Sequence, residues 1–188
     1  ALNVAYGEAE KRSIFRLYGT GFAVTIGIIV FAVVVVNTIV VLPLLLSALG
    51  FSERAEFIMR LISAPLFFVV MVAAASVLYR IGPSRRNARW NWISLGSILF
   101  SAVWIAVALG LSFYLSRFAN YTATYGSLGA AIGLMLWIYA AEYIFLAGAE
   151  INAEIEHQTS RDTTTGPERP MGERGAHVAD TVGALSGK

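Results

Sequence analysis

The chain has 188 residues, of which 57% are hydrophobic and only 14% charged, and its mean hydropathy is +0.66. Soluble domains carry about 25% charged residues, so this composition excludes an ordinary water-soluble globular protein. The sequence contains no Cys, which excludes disulfides, thiolate nucleophiles and Cys-based metal sites.

Four long runs with few charges predict four transmembrane helices, because a bilayer core about 30 Å thick requires roughly 20 apolar residues per helix. The predicted spans are residues 22–46, 61–79, 93–115 and 127–150. The Val- and Ile-rich run in the first span is too long for a strand, and an open strand could not satisfy its backbone groups in lipid. The sequence therefore predicts an all-α polytopic membrane helix bundle over residues 1–156.

Polar segments flank this bundle. Residues 1–16 fit either a short amphipathic helix on the membrane surface or a solvated lead-in, and both readings stay open. Residues 157–188 are rich in Thr, Gly, Pro, Arg and Glu and contain no aromatic residue. Such a segment has too little apolar surface to form a core, so we predict a disordered tail.

Lys and Arg residues near the spans predict the orientation. With four spans, both flanks and the loop after the second span lie on one side, and with only Arg161 counted from the tail this side carries eight basic residues near the spans against three on the other. The positive-inside rule makes the richer side cytoplasmic. Trp90 and Trp92 adjoin the third span and are placed like interfacial anchors. The nearby arginines, Arg80 to Arg89, fit contact with anionic lipid better than RNA binding.

Small residues recur at helical spacing on the last two spans. They are Gly126, Gly129 and Gly133 on the fourth span, and Ala102, Ala106 and Gly110 on the third. Membrane helices associate through such faces because small side chains allow close backbone approach. We therefore predict that these two spans form an antiparallel pair through these residues.

A few polar residues lie inside the predicted spans. Glu142 is the only acidic or basic residue between Arg117 and Glu150, and Ser76, Ser97 and Ser101 reach similar depth. A carboxyl at this depth is costly unless it faces a cavity or a partner, so we expect Glu142 to face the bundle interior. It would either donate a structural hydrogen bond as a protonated acid or take part in a substrate or proton path.

Asn37, in the first span, is predicted to form interhelical hydrogen bonds. The alternative is that it takes part in the same substrate or proton path as Glu142.

The sequence offers no catalytic or metal-binding constellation. Asp162 and Asp180 are the only Asp residues, and both lie in the predicted tail with the two His residues. Three carboxylates, Glu150, Glu154 and Glu156, are interpreted as a solvated helix end rather than as metal ligands. No cofactor, metal, nucleic-acid partner or enzymatic activity is therefore predicted.

Several motifs resemble the YihY/BrkB family of bacterial inner-membrane proteins. They are Tyr125-Gly126-Ser127-Leu128-Gly129-Ala130, Trp137-Ile138-Tyr139 and Leu146-Ala147-Gly148-Ala149-Glu150, supported upstream by Leu2-Asn3, Tyr6, Arg12, Tyr79, Pro83, Gly96, Trp104, Tyr114 and Phe118. The resemblance implies a bacterial inner-membrane location with a cytoplasmic N-terminus. Because such proteins have about six membrane helices, it also implies that the first two are missing from this sequence. The family has carried ribonuclease and virulence-factor labels.

These observations favour a membrane protein that handles or transports a lipid or another amphipathic molecule. Its partners would be membrane lipids, with a second copy of the chain or another membrane protein left open. One alternative is a scaffold that acts through partners without transport. A membrane-associated ribonuclease is disfavoured, because the residues present supply no nucleophile, base or metal cluster.

Overall fold

The computed structural model describes residues 1–41, 44–45, 48, 50, 53–92, 94–118 and 121–183. The helices are α1 (Leu2–Ala5), α2 (Ile14–Val36), α3 (Glu53–Ile81), α4 (Ser94–Phe118), α5 (Tyr121–His157) and α6 (His177–Asp180). Within these described ranges, four segments are long and apolar enough to cross a membrane: Ile14–Val36, Leu61–Ile81, Leu95–Tyr114 and Ala131–His157. The predicted all-α bundle with four spans is confirmed.

The helix boundaries differ from the predicted spans. Helix α2 starts after Ser13, whose backbone is extended, and it continues as a π-helix over Asn37–Val41. Helix α3 already begins at Glu53, before the predicted span of residues 61–79, and Pro65 lies in its interior. Helix α5 has 37 residues, which at about 1.5 Å per residue is longer than a bilayer core is thick. Its C-terminal turns carry the buried polar residues Asn152 and Glu156.

Helices α3, α4 and α5 pack through a column of aromatic rings. Tyr79 stacks on Phe145 with ring centroids 4.7 Å apart, and Phe100 meets Phe145 edge-on at 5.3 Å. Further along the bundle, Trp104 and Trp137 are 5.0 Å apart. Since position 100 meets 145 and position 104 meets 137, α4 and α5 run antiparallel.

A polar cap, made of residues 1–13, 82–92 and 158–183, covers the end of the bundle where both flanking segments lie. Here the structure differs from the prediction of a disordered tail. Residues 158–183 fold back over the bundle and bury Thr163, Thr164, Val178 and Ala179. The composition argument counted apolar side chains, whereas this segment is held mainly by polar contacts. Residues 184–188 lie outside the described part.

Candidate functional site

Helices α4 and α5 approach each other closely at two glycines, Gly96 and Gly148. A Cβ atom on Gly96 would clash with the carbonyl oxygen of Gly148 and with the side chain of Asn152. One on Gly148 would lie 2.5 Å from the Tyr79 hydroxyl and 2.9 Å from the Gly96 carbonyl oxygen. The Gly96 N–H also donates to Asn152 Oδ1 at 2.8 Å. Only glycine at both positions permits this approach.

The small residues predicted to form the contact lie elsewhere. No described atom is within 4 Å of an ideal Cβ on Gly110 or Gly133, and Ala102 and Ala106 are exposed. The Trp104 and Trp137 rings lie between the two helices, so the backbones stay apart beyond the Gly96–Gly148 crossing. The surroundings of Gly126 and Gly129 lie outside the described part of the chain.

The three predicted serines do come together. The Ser76 hydroxyl donates to Ser97 Oγ at 2.8 Å, and the Ser101 hydroxyl donates to the Ser97 carbonyl at 2.8 Å. All three residues are buried, Ser97 and Ser101 completely. They form a polar seam between α3 and α4, and a role in substrate passage stays a prediction.

Glu142 does not join this seam and is exposed on the surface of the described helices. The inward stripe of α5 runs through positions 141, 145, 148 and 152, at the spacing of one helix face. The face that carries Glu142 is covered only further along α5, where Ala149 and Ala153 are buried, and at the level of Glu142 the described helices leave it open. The expectation that it faces the interior is therefore wrong for these helices, and its role in function stays a prediction.

Asn37 is also exposed, and its amide donates to the Val33 carbonyl in its own helix at 2.8 Å. The predicted interhelical bond is thus replaced by a bond to the preceding turn, as amide and hydroxyl groups often form.

A buried ion pair links the loop after α3 to the end of α5. Arg85 Nη1 lies 2.8 Å from Glu156 Oε2, and both side chains are 1% exposed. The Thr163 hydroxyl donates to the other oxygen of Glu156 at 2.5 Å, and the Arg85 guanidinium lies 4.3 Å from the centre of the Tyr6 ring. Burial raises the pKa of Tyr6 to about 12, so its phenol stays neutral at physiological pH. Glu156 is therefore not part of a solvated helix end, whereas Glu150 and Glu154 are exposed.

The N-terminal segment docks on the loop after α3. The Ser84 N–H donates to Asn3 Oδ1 at 2.7 Å, and Arg12 Nη2 donates to the Gly82 carbonyl at 2.9 Å. Arg12 also pairs with Glu10 at 2.8 Å and holds the pKa of that carboxyl well below its usual range. Upstream residues of the family resemblance therefore lie in one contact region. Neither open reading, a surface helix or a solvated lead-in, describes this docked segment.

Polar contacts also hold the tail in place. The guanidinium of Arg174 donates to four backbone carbonyls, those of Ser160, Arg161, Arg169 and Ala179. Asp162 accepts hydrogen bonds from Thr164 and Arg169, and Asp180 accepts three from backbone N–H groups. Burial alone would raise the pKa of each Asp, but these hydrogen bonds outweigh it and lower the pKa. The tail also bonds to the loop after α3, where the Arg89 N–H donates to the Thr163 carbonyl.

A basic cleft of about 820 Å³ opens at the edge of the polar cap. Its walls come from the N-terminal segment, the first turns of α2, the loop after α3 and the tail. The residues that line it are Lys11, Arg12, Ser13, Arg16, Thr20, Ile81, Pro83, Ser84, Arg85, Arg86, Asn87, Thr165 and Gly175. Five of these are cationic and none is acidic, so the cleft suits an anionic ligand.

No group of three or more His, Asp and Glu residues that could hold a metal occurs in the part of the chain that the structure describes. His157 and His177 lie with ring centroids 6.4 Å apart, and His157 Nε2 is 2.9 Å from the Thr181 hydroxyl. These contacts tie the end of α5 to the tail.

Sequence reasoning missed three features of the site: the ion pair between Glu156 and Arg85, the hydrogen bond between Asn152 and Gly96, and the basic cleft. Arg85 and Glu156 are 71 residues apart in the chain. The family resemblance offered a signal for this site, because four of its residues lie here: Tyr6, Tyr79, Gly96 and Gly148. The structure brings the last three together and places Tyr6 on the nearby Arg85.

Fold and site together define a polytopic membrane protein with a polar cap over one end of its bundle. Comparison with known proteins agrees: the chain belongs to the family described as Virulence factor BrkB, whose model matches residues 1–172. It is 33% identical over 161 residues to YfkH of Bacillus subtilis (strain 168), a protein named as ribonuclease-like; the match covers 81% of this chain and 57% of YfkH.

UPF0761 membrane proteins are further relatives. The one from Pseudoalteromonas atlantica is 32% identical over 104 residues, which is 52% of this chain and 33% of the relative. The one from Tolumonas auensis is 28% identical over 95 residues, covering 50% of this chain and 31% of the relative. The chain thus spans between about a third and somewhat over half of the length of these relatives. No solved structure matches it.

Proposed function

We propose that this chain is the membrane-embedded part of a protein that binds an amphipathic lipid and moves it in the bacterial inner membrane. The observation that carries the proposal is the place where the basic cleft opens. Arg16 and Thr20 line the cleft and lie in the first two turns of α2, which is one of the four candidate spans. The cleft therefore adjoins a helix whose surface is apolar.

The apolar side of this arrangement is formed by exposed side chains on α2. Phe15 is 92% exposed, Tyr18 74% and Phe22 69%. A molecule with an anionic head and an apolar tail could place its head in the cleft and its tail along this surface. A soluble substrate would make no use of that surface, so the pairing favours an amphipathic ligand.

To test this proposal, the purified chain is reconstituted into vesicles of phosphatidylcholine and phosphatidylglycerol. We expect it to speed the exchange of a fluorescent phospholipid between the two leaflets. Dithionite quenching of the outer-leaflet dye measures the rate. We expect at least a tenfold increase over protein-free vesicles and over vesicles that contain an unrelated four-span protein. A rate equal to that of the controls would contradict transport and favour the scaffold alternative.

We further propose that the polar cap faces the cytoplasm, on the basis of the eight-to-three excess of basic residues. The chain has no Cys, so single cysteines report orientation without background. Asn87→Cys and Ser160→Cys, both at exposed positions of the cap, should resist an impermeant thiol reagent added to intact cells. Arg54→Cys, at an exposed position near the other end of α3, should be labelled. Labelling of the cap cysteines from outside would reverse the orientation.

A further inference from the structure

Charge in the basic cleft is only partly neutralised by the protein. Arg12 pairs with Glu10 at 2.8 Å, and Arg85 pairs with Glu156 at 2.8 Å. Lys11 reaches Glu8 only at 3.5 Å. Neither Arg16 nor Arg86, the remaining cations of the lining, forms an ion pair with another described residue. The cleft therefore keeps an excess of positive charge.

The two arginines from the loop after α3 also have unused hydrogen-bond donors. Nε and Nη2 of Arg85 and Nη1 of Arg86 are buried, and within the described residues none of the three has a hydrogen-bond partner. A buried donor without an acceptor is unfavourable, and more so when it belongs to a charged group. These three donors therefore lack an acceptor. The Arg85 side chain is almost fully buried, with 1% of its surface exposed.

The height of the cleft along the bundle fits the headgroup region of a bilayer. Arg16 lies at the start of a candidate span, next to the exposed Ile14 and Phe15. On the same end of the bundle, Trp90 is 53% exposed and carries the Arg80 guanidinium 4.3 Å from its ring centre. Partly exposed Trp and Arg residues are typical of the membrane interface.

We propose that the basic cleft is a binding site for the phosphate group of an anionic phospholipid, with Arg86 and Arg16 as its principal ligands. A phosphate group offers several acceptor oxygens, which match the planar fork of a guanidinium, and it can be approached from more than one wall at once. Arg86 comes from the loop after α3 and Arg16 from α2, so they would hold the group from two sides. This inference rests on the proposed function for its membrane source, since free phosphate presents the same chemistry.

Two binding measurements on the purified full chain test the site and separate the sources. Inorganic phosphate is titrated against the protein in a neutral detergent, with Trp fluorescence as the signal. Separately, binding of phosphatidylglycerol is measured in phosphatidylcholine nanodiscs, and oleate serves as an anionic amphiphile without phosphate. We expect phosphatidylglycerol to bind at least tenfold more tightly than oleate.

Arg86→Gln should weaken phosphatidylglycerol binding about tenfold or more. Arg16→Gln should weaken it several-fold without affecting folding, because Arg16 is exposed and forms no ion pair with a described residue. Arg161→Gln, an exposed cap position outside the cleft lining, removes the same charge as a control and should leave binding unchanged. Circular dichroism confirms that each variant is folded.

Equal weakening by all three variants would show non-specific charge attraction and overturn the site. Equal binding of oleate and phosphatidylglycerol would overturn the assignment to phosphate. Binding of inorganic phosphate without phospholipid would overturn the lipid source and count against the proposed function. Phospholipid binding with no leaflet exchange would support the site while contradicting transport, so the two failures are distinguishable.

Discussion

Replacing Gly96 by Ala should cost the protein about 3 kcal/mol or more of its free energy of unfolding, at the upper end of what overpacking causes. The added Cβ would clash with the Gly148 carbonyl and with Asn152, and backbone cannot give way as a flexible side chain can. Separating the helices would also break the bond from the Gly96 N–H to Asn152 Oδ1. Denaturant titration in detergent, followed by circular dichroism, measures the change.

Gly110→Ala is the matched control for this experiment. It lies on the same helix, α4, but no described atom is within 4 Å of its ideal Cβ. The substitution should change stability by no more than about 1 kcal/mol, and towards higher stability because Ala favours the helix. If both variants lose stability equally, the Gly96–Gly148 crossing is not the contact that holds α4 to α5.

A second large effect is expected for Glu156→Ala, which leaves Arg85 as an uncompensated buried charge. Removing one partner of a buried ion pair costs about 3–5 kcal/mol, a large part of the total stability of about 5–15 kcal/mol typical of native proteins. The Thr163 hydroxyl also loses its acceptor. We expect a clear drop in the melting temperature measured by circular dichroism in detergent.

Two further variants make the cause specific. Glu154→Ala removes a carboxylate whose side chain is 60% exposed, and it should cost less than about 1 kcal/mol. The double variant Arg85→Met with Glu156→Leu removes both buried charges and should recover most of the stability, because the desolvation cost disappears with them. A Glu156→Ala variant as stable as Glu154→Ala would contradict a structural role for the ion pair.

The membrane bundle could be predicted from the sequence because a span is a local property. Long apolar runs specify helices in lipid whatever else the chain contains, and each of the four candidate spans among the described residues overlaps a predicted one. Their ends were harder to place. Positions 53–60 carry charges and lie outside the predicted span of residues 61–79, yet they belong to α3, because charged side chains are costly in lipid but do not prevent helix formation.

The site could not be predicted in the same way because its residues meet only through tertiary contacts. In the sequence, Glu156 follows Glu150 and Glu154 at the spacing of a solvent-exposed helix end. Its actual partner, Arg85, is 71 residues away in the chain. Gly110 and Gly96 look alike in sequence, yet the Trp104–Trp137 contact between the helices leaves only Gly96 at a crossing. The order of the tail depends on Arg174, Asp162 and Asp180 bonding to backbone groups, and such bonds leave no hydrophobic pattern to read.

The contact between Glu8 and the backbone N–H of His177 joins positions 169 residues apart, and so it constrains the order of events during synthesis. A ribosome adds about 5–20 residues per second, so the N-terminal segment waits on the order of 10 s for its partner to be made. During that interval all four spans can enter the membrane, but the surface that the tail will cover is still bare. The polar cap can therefore close only after the four spans described here have been made, because the N-terminal segment, the loop after α3 and the tail all contribute to it.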